Sequence, residues 1–442
     1  MSFMDKLKNV LQDRTVVTEN GAIGYKTTGK ELVDLNFAVA SMRNEEEQVI
    51  INRFVKAFYE DRILAMKWLF FLRDVRGGLG ERRAFRVILQ SLAYQQTEMT
   101  GKLVDFIAEY GRYDDLLCLL DTPLEEKALN YIEEQLFKDI IQRKEQKPIS
   151  LLGKWLPGNN SSSEKTREMA KKIQNHLGMT AKEYRKMLVE LRSYLKVIEV
   201  AASANQWERI DYEKVPSKAN LLYRKAFLVH DEERRKIYLE RLKENQVKIN
   251  ASVLMPHEIV NAYTDCKGWS LQVKKEDITL EELWSHLDDT VKGAEDVLCI
   301  VDGSGSMMCP VGDGTVTALQ VSNALGIYFA ERMKGAYQNK FITFSSHPQY
   351  VDLSNCHSLK EKLELSFSYN DYTNTNLEAS FDLILETAVN NKLPQKELPK
   401  TILVISDMEF DSAVNRNTVS PLMETIEKKF AYFGYHMPKL VF

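Results

Sequence analysis

The sequence predicts an α plus α/β protein: an N-terminal helical-repeat region of HEAT-like type over residues 1–290, then a doubly wound, mostly parallel sheet domain over 291–442. Three observations carry this. Between 45 and 143, apolar residues recur at helical spacing with short connections and no strand-like alternation. From Asp296 the pattern becomes short apolar runs alternating with amphipathic helices, the grammar of a parallel sheet. The first of those runs, Val297-Leu298-Cys299-Ile300-Val301, leads straight into a loop of Asp, Ser and Gly, and open α/β sheets bind ligands at such strand ends.

Taken in order, residues 1–45 read as a lead-in with turn signals at Asn20-Gly21, Gly24 and Gly29. Val49, Ile50, Phe54, Val55 and Phe58 then fall near one face of a 3.6-residue period. A second run, Ile63 to Leu72, stops at Arg76-Gly77-Gly78, a normal helix stop. Further helices are expected at 82–94, 102–110, 113–120 and 124–143. Stacked antiparallel pairs suit these lengths, although the letters contain no strict repeat. The loop 148–163 (PISLLGKWLPGNNSSS) leads into a basic helical stretch, and a mixed-charge helical run covers 223–248. Residues 268–296 read as a transition ending in an acidic helix at 280–288.

In the sheet domain, strands are expected at 297–301, 341–344, 401–405 and 440–442, with an edge strand near 350–353. The intervening helices are expected at 317–333, 359–365, 377–389 and 420–433.

Composition sets the class. The chain has 442 residues, 28% charged and 44% hydrophobic, with a net charge of −4 that is unevenly spread. Residues 291–442 hold 13 Lys/Arg against 18 Asp/Glu, so the sheet domain is acidic and the rest is close to neutral. Five scattered cysteines, with no CxxC pair and no zinc spacing, read as reduced thiols. The N-terminus lacks a signal-peptide pattern and no run approaches the ~20 apolar residues that span a bilayer. The expectation is a soluble, cytoplasmic protein with no membrane partner.

Three pieces converge on the carboxyl edge of the expected sheet: Asp302-Gly303-Ser304-Gly305-Ser306 after the first strand, Thr373-Asn374-Thr375-Asn376 before a helix, and Ser406-Asp407 after strand 401–405. Hydroxyls of Ser304, Ser306 and Thr375 with the charge of Asp302 and Asp407 suit Mg2+ or another divalent cation, a hard ion that takes oxygen ligands and keeps some water. A coordination position would stay open for an acidic group of a partner. The blander alternative makes the loop solvated and Thr375 and Asp407 plain helix N-caps. DxSxS alone is weak; its placement after a buried strand, with Thr and Asp in later loops, makes the set specific.

With this constellation the C-terminal part resembles the von Willebrand factor A superfamily, whose metal-ion-dependent adhesion site (MIDAS) is written DxSxS, Thr and Asp. The whole chain is similar to the TROVE/Ro autoantigen plan, as a sister family in which a helical-repeat region precedes such a domain. Thr18-Glu19-Asn20-Gly21-Ala22, Arg73-Asp74-Val75-Arg76-Gly77-Gly78-Leu79-Gly80-Glu81-Arg82, Lys154-Trp155-Leu156-Pro157 and Ser406-Asp407-Met408-Glu409-Phe410-Asp411 carry that likeness. It implies a ribonucleoprotein component that binds non-coding or misfolded RNA without catalysis. It also implies one more strand and a closing helix after 440–442, so the sheet is expected to be truncated at its last strand, the chain being a fragment or completed by another polypeptide.

Candidate RNA contacts lie in the basic stretch 165–196, which holds nine Lys/Arg against three Glu. They are Lys171, Lys172, Lys182, Arg185, Lys186 and Arg192, with Tyr184 and Tyr194 available for stacking. The alternative is a solvated amphipathic helix with Leu188, Leu191 and Leu195 facing a core. Likewise Arg73–Arg83 reads either as a phosphate-facing turn or, preferably, as a helix stop and start. Asp313, Asp371, Glu409 and Asp411 at the expected rim of the metal-bearing domain should repel phosphate, which leaves the site for a protein carboxylate or a structural role. An adaptor that captures such a carboxylate is the second reading and a metal-dependent nuclease the third. No HExxH, GxSxG or P-loop supports an enzyme, and His230–Asp231 and His257–Glu258 read as surface or capping pairs.

Overall fold

The computed structural model describes residues 15–17, 23–25, 27–43, 45–195, 198–267, 270–291, 296–311, 315–344, 347–372, 376–407 and 422–441. Strand β1 (Thr15–Val17) pairs antiparallel with β2 (Ile23–Tyr25). The chain forms two compact units, 28–211 and 212–442, the second including residues 1–27. The protein is α plus α/β, and no helix among the described residues is long and apolar enough to cross a membrane.

The unit 28–211 is helical. Helix α1 (Glu47–Glu60) runs into α2 (Arg62–Arg73) through Asp61, whose carboxylate caps α2 by accepting the Leu64 N–H at 2.9 Å. After α2 the chain turns at Gly78, where a Cβ would lie 1.9 Å from the Phe71 carbonyl oxygen, so only glycine fits. Helix α3 (Arg83–Gln95) then packs its apolar face into the core shared with α1 and α2. The segments expected as helices at 102–110 and 113–120 are shorter pieces, largely 3-10. The second is pinned by buried Asp115, which accepts the N–H of Arg112 at 2.9 Å. Asp115 also accepts from Arg73 Nε at 2.8 Å and Arg86 Nε at 2.7 Å. Arg73, at the start of the Arg/Gly-rich stretch 73–83, thus joins Arg86 and Arg112 around a buried carboxylate.

Helix α4 (Glu125–Lys144) follows. The basic stretch 165–196 is divided between α5 (Glu164–His176) and α6 (Ala181–Tyr194). Gly178, at φ +62°, ends the first, and a Thr180–Glu183 capping box starts the second.

The second unit begins with α7 (Ser217–His230), α8 (Glu232–Lys243) and α9 (Pro256–Tyr263). An antiparallel hairpin follows, β3 (Thr264–Lys267) with β4 (Ser270–Val273), and then α10 (Ile278–Ser285). The sheet domain comes next: β5 (Val297–Asp302), α11 (Ala318–Arg332), β6 (Lys340–Phe344), β7 (Tyr350–Asp352), α12 (Leu359–Ser368), α13 (Leu377–Asn390), β8 (Thr401–Ile405), α14 (Leu422–Tyr432) and β9 (Lys439–Val441).

The five strands lie in the order β7-β6-β5-β8-β9, parallel except for the antiparallel edge strand β7. Strand β5 sits at the centre with Leu298 through Asp302 all buried, which explains its unbroken apolar run. Leu298, Ile300, Ile402 and Val404 pack against α13 and α14 on one side of the sheet. Helix α11 approaches β5 very closely: a Cβ at Gly326 would fall 2.5 Å from Val301 Cγ2.

The division at 290/291 expected from the change of grammar falls inside this second unit. Helices α9 and α10 belong to the same compact body as the sheet. Gln320 of α11 donates to Thr264 Oγ1 at 2.7 Å, and Trp284 of α10 donates from Nε1 to Glu331 of α11 at 2.9 Å. Glu281 of α10 accepts the first N–H groups of α12, those of Leu359 at 2.7 Å and Lys360 at 3.1 Å. The letters change character near 296 because a parallel sheet starts there, while the packing in space runs through that point.

Candidate functional site

The end of β5 and the loop after it form the best-defined cluster of oxygen donors among the expected site residues. Asp302 is the last residue of the strand and fully buried. Its Oδ1 accepts the backbone N–H of Ser304 at 2.9 Å, and its Oδ2 accepts the hydroxyl of Ser406 at 2.6 Å. Strand β8 delivers Ser406, since Val301 and Ile405 are in register at the ends of the paired strands. The Asp302 main-chain carbonyl accepts from Ser322 Oγ at 3.0 Å, a contact that depends on the tight α11–β5 packing.

Beyond Asp302 the chain turns into a short 3-10 segment, Gly305–Met308, with Ser304 as its N-cap residue. The hydroxyls of Ser304 and Ser306 lie 3.1 Å apart, so the two alternate positions of the DxSxS stretch aim at the same place. Ser304 is buried and Ser306 is half-buried. Asp407 is exposed at the end of β8 and close enough to act electrostatically on Asp302.

Burial pushes the Asp302 carboxyl up to about 6, and the nearby charge of Asp407 pushes in the same direction. Hydrogen bonds from Ser304 and Ser406 pull it down without overcoming the burial. The ionised form of Asp302 is therefore disfavoured by burial and by the charge of Asp407, a setting that a cation would relieve.

Among the described residues no three His, Cys, Asp or Glu side chains converge as metal ligands. The donor set here is of another kind, hydroxyls plus two carboxylates, which fits a hard cation with retained water and does not fit zinc or copper. Thr375 lies outside the described residues, as do Asp313, Glu409 and Asp411 of the expected rim. The segment that leads to Thr375 is nevertheless tied to the site. Tyr372 donates its N–H to the Gly303 carbonyl at 3.1 Å and sits at φ +55°, an uncommon backbone state for a tyrosine. Two residues earlier, Asn370 is buried and its Nδ2 has no partner among the described residues, a donor suited to a water of a cation's shell. The helix after this loop takes Asn376 as its N-cap, accepting from Ala379 at 3.0 Å, so capping α13 does not need Thr375.

The sequence reading missed Ser322, Ser406 and Asn370 around this site, and it missed the β3–β4 hairpin and α9. Ser406 stood beside a chosen residue and had only to be counted. The hairpin carried a usable signal, the alternation Ser270-Leu271-Gln272-Val273. Its Leu271 packs with Met307 of the 3-10 segment after Ser304 and with Leu319 of α11, so the hairpin braces the DxSxS stretch.

The candidate RNA contacts divide into two groups. Lys171, Lys182, Arg185 and Lys186 are exposed. Lys172 is engaged by Asp121 and by Glu125 at 2.7 Å. Arg192 is built into the fold, donating to the carbonyls of Gly153 at 3.0 Å and Leu156 at 2.8 Å. Tyr184 is a correction: it is fully buried, with its hydroxyl on the Pro157 carbonyl at 2.9 Å, and offers no stacking face. Tyr194 is half-buried and donates to the Lys147 carbonyl at 2.8 Å. Asp231, beside His230, accepts from Tyr212 and Arg234, and Glu258, beside His257, closes the capping box of α9.

The family described as Domain of unknown function (DUF7788) matches residues 296–442, and the family described as Domain of unknown function (DUF2828) matches residues 130–294. Uncharacterized protein L728 of Acanthamoeba polyphaga mimivirus is 32% identical over 465 aligned residues, which cover 96% of this chain and 78% of that protein.

Proposed function

This chain belongs to the same family as uncharacterized protein L728 of Acanthamoeba polyphaga mimivirus, and from that footing we propose that its C-terminal part is a von Willebrand factor A-like domain serving divalent-cation-dependent capture of a protein carboxylate. The carrying observation is the convergence at the end of β5: the Ser304 and Ser306 hydroxyls 3.1 Å apart, above a buried Asp302 held from both sides. The order β7-β6-β5-β8-β9 with one antiparallel edge supports the same reading.

In this reading Ser304 and Ser306 offer their hydroxyls directly and Thr375 offers a third. Asp302 and Asp407 supply charge through hydrogen-bonded water. When bound, Mg2+ or another divalent cation supplies an open, hard coordination position that an Asp or Glu of a partner can fill. The function is binding without catalysis, because a hydroxyl-rich site with one ion favours holding an anion over activating water. The preceding helices are read as a TROVE/Ro-like repeat region.

Titration calorimetry of the full chain with MgCl2 and MnCl2 tests the site. One binding event is expected, weakened at least tenfold in Ser304→Ala/Ser306→Ala at unchanged melting temperature; absence of any saturable heat overturns it. Retention of Asp/Glu-containing peptides that is lost in EDTA tests the capture.

A second reading, RNA binding by the helical part, is favoured by one observation. Lys182, Arg185 and Lys186 are exposed at i, i+3 and i+4 spacing, on one face of α6. Phosphate binding there should weaken steeply with salt, whereas carboxylate capture should follow the cation.

A further inference from the structure

The second unit contains a cavity of about 800 Å³, away from the β5 edge and walled by α7, α8, the end of α9 and the segment leading into α10. Its size lies within the range of small-molecule sites. Apolar side chains line part of it, among them Leu228, Leu239, Ala262 and Ile278.

Charge distinguishes this cavity. Six cationic side chains line it against three acidic ones, Glu240, Glu276 and Asp277. Three of the six are already paired: Arg224 with Asp277 of the same wall at 3.0 Å, Lys274 with Asp265 at 3.0 Å, and Lys236 with Glu232 at 2.6 Å. Lys225, Lys243 and Lys275 are exposed and form no ion pair among the described residues.

A fourth positive charge lies below the wall. Arg235 is fully buried among the rings of Tyr212, Phe227 and Tyr238, each about 5 Å from its guanidinium. Its Nη2 reaches Thr279 Oγ1, on a residue that lines the cavity, at 3.4 Å. No carboxylate pairs with it among the described residues, and its Nε has no partner. Asp277 acts on this guanidinium through space without a direct ion pair, so its buried charge is only partly offset and adds to the positive field at the cavity.

We propose that this cavity binds a small organic phosphate, carrying two or more phosphoryl groups on an apolar or aromatic body of about nucleotide size. Multiple phosphoryl charges match Lys225, Lys243 and Lys275, where a lone carboxylate would neutralise one of three. The apolar lining takes the body of the ligand. The site is independent of the cation-binding reading.

The test is a fluorescence titration of the full chain with trinitrophenyl-ATP in EDTA, which removes any contribution from a divalent-cation site. Saturable one-site binding is expected, with ADP displacing the probe at least tenfold better than pyrophosphate. Lys243→Glu/Lys275→Glu, at exposed positions, should weaken binding at least tenfold while the melting temperature is unchanged. Leu228→Gln should weaken ADP and leave pyrophosphate unaffected. Absence of saturable binding, or binding indifferent to the charge reversal, overturns the proposal. Equal competition by ADP and pyrophosphate overturns it too, since the apolar lining then has no role. Displacement by a single-stranded oligonucleotide more strongly than by ADP at equal phosphate concentration replaces the small molecule with a nucleic acid.

Discussion

Gln320 donates from its Nε2 to Thr264 Oγ1 at 2.7 Å, and both residues are buried. This bond joins the first turn of α11, beside the candidate cation loop, to the hairpin that precedes the sheet domain. Cutting the chain between 295 and 296 would strip the Gln320 Nε2 of its Thr264 and Asn261 acceptors and take Leu271 from Leu319 and Met307. A fragment 296–442 is therefore expected to aggregate or melt well below a fragment 212–442. In the full chain, Gln320→Ala should cost about 1–3 kcal/mol. Solubility and chemical denaturation of the three proteins check this.

The protonation of Asp302 should show in stability. With divalent ions chelated, its folded value of about 6 lies above the ordinary value of about 4. The native state then holds more protons than the unfolded chain between those values. The contribution is complete below pH ~4 and is lost as pH rises through about 6, amounting to about 3 kcal/mol for a shift of about two units. Asp302→Asn should remove that slope. Urea midpoints of both proteins from pH 4 to 7 in EDTA measure it, and parallel profiles would sink the assignment.

Mg2+ should act in the opposite sense, because it requires the ionised carboxylate. The rise in melting temperature on adding MgCl2 should be larger at pH 7.5 than at pH 5. Ser406→Ala, which removes the 2.6 Å hydrogen bond to Asp302, should weaken Mg2+ binding several-fold without abolishing it.

Charge changes on α6 should separate by position. Lys182→Glu/Arg185→Glu/Lys186→Glu should leave stability within about 0.5 kcal/mol, as expected for exposed side chains. If RNA binds there, affinity and its salt dependence fall together. Arg192→Glu should instead destabilise the helical unit, since it loses the Gly153 and Leu156 carbonyls. Salt-dependent filter binding beside denaturation curves resolves the two.

Arg73→Met should be among the most damaging single changes in the helical unit, costing about 3–5 kcal/mol by leaving Asp115 buried with one fewer partner. Arg73→Met/Asp115→Leu should recover part of the loss, measured by the same denaturation.

The strands and helices of the sheet domain were legible because their patterns are local. Val297–Val301 is apolar throughout since β5 is buried on both faces, and Thr317 with Gln320 announces a helix start three residues apart. Asp302, Ser304, Ser306 and Asp407 could be chosen for their place after strands. Other features were not legible, because they depend on contacts distant in sequence. Tyr184 and Arg192 look like surface residues in a basic helix, and only the approach of the 153–157 segment turns them inward. The spatial boundary near 211 was hidden for the same reason: α9 and α10 carry no letter that names α11 as their neighbour.

The missing side chain at Gly326 has a reach beyond its own contact. Because nothing larger than hydrogen stands between that helix turn and Val301, Ser322, one turn earlier, can touch the carbonyl at which the donor loop begins. On the proposed cation site, a saturation scan scored on Mg2+ affinity would mark position 326 as intolerant alongside Asp302 and Ser304, though glycine there offers no donor. Position 326 acts as a spacer, and the tolerance of the whole donor arrangement is set by a gap of one methyl group.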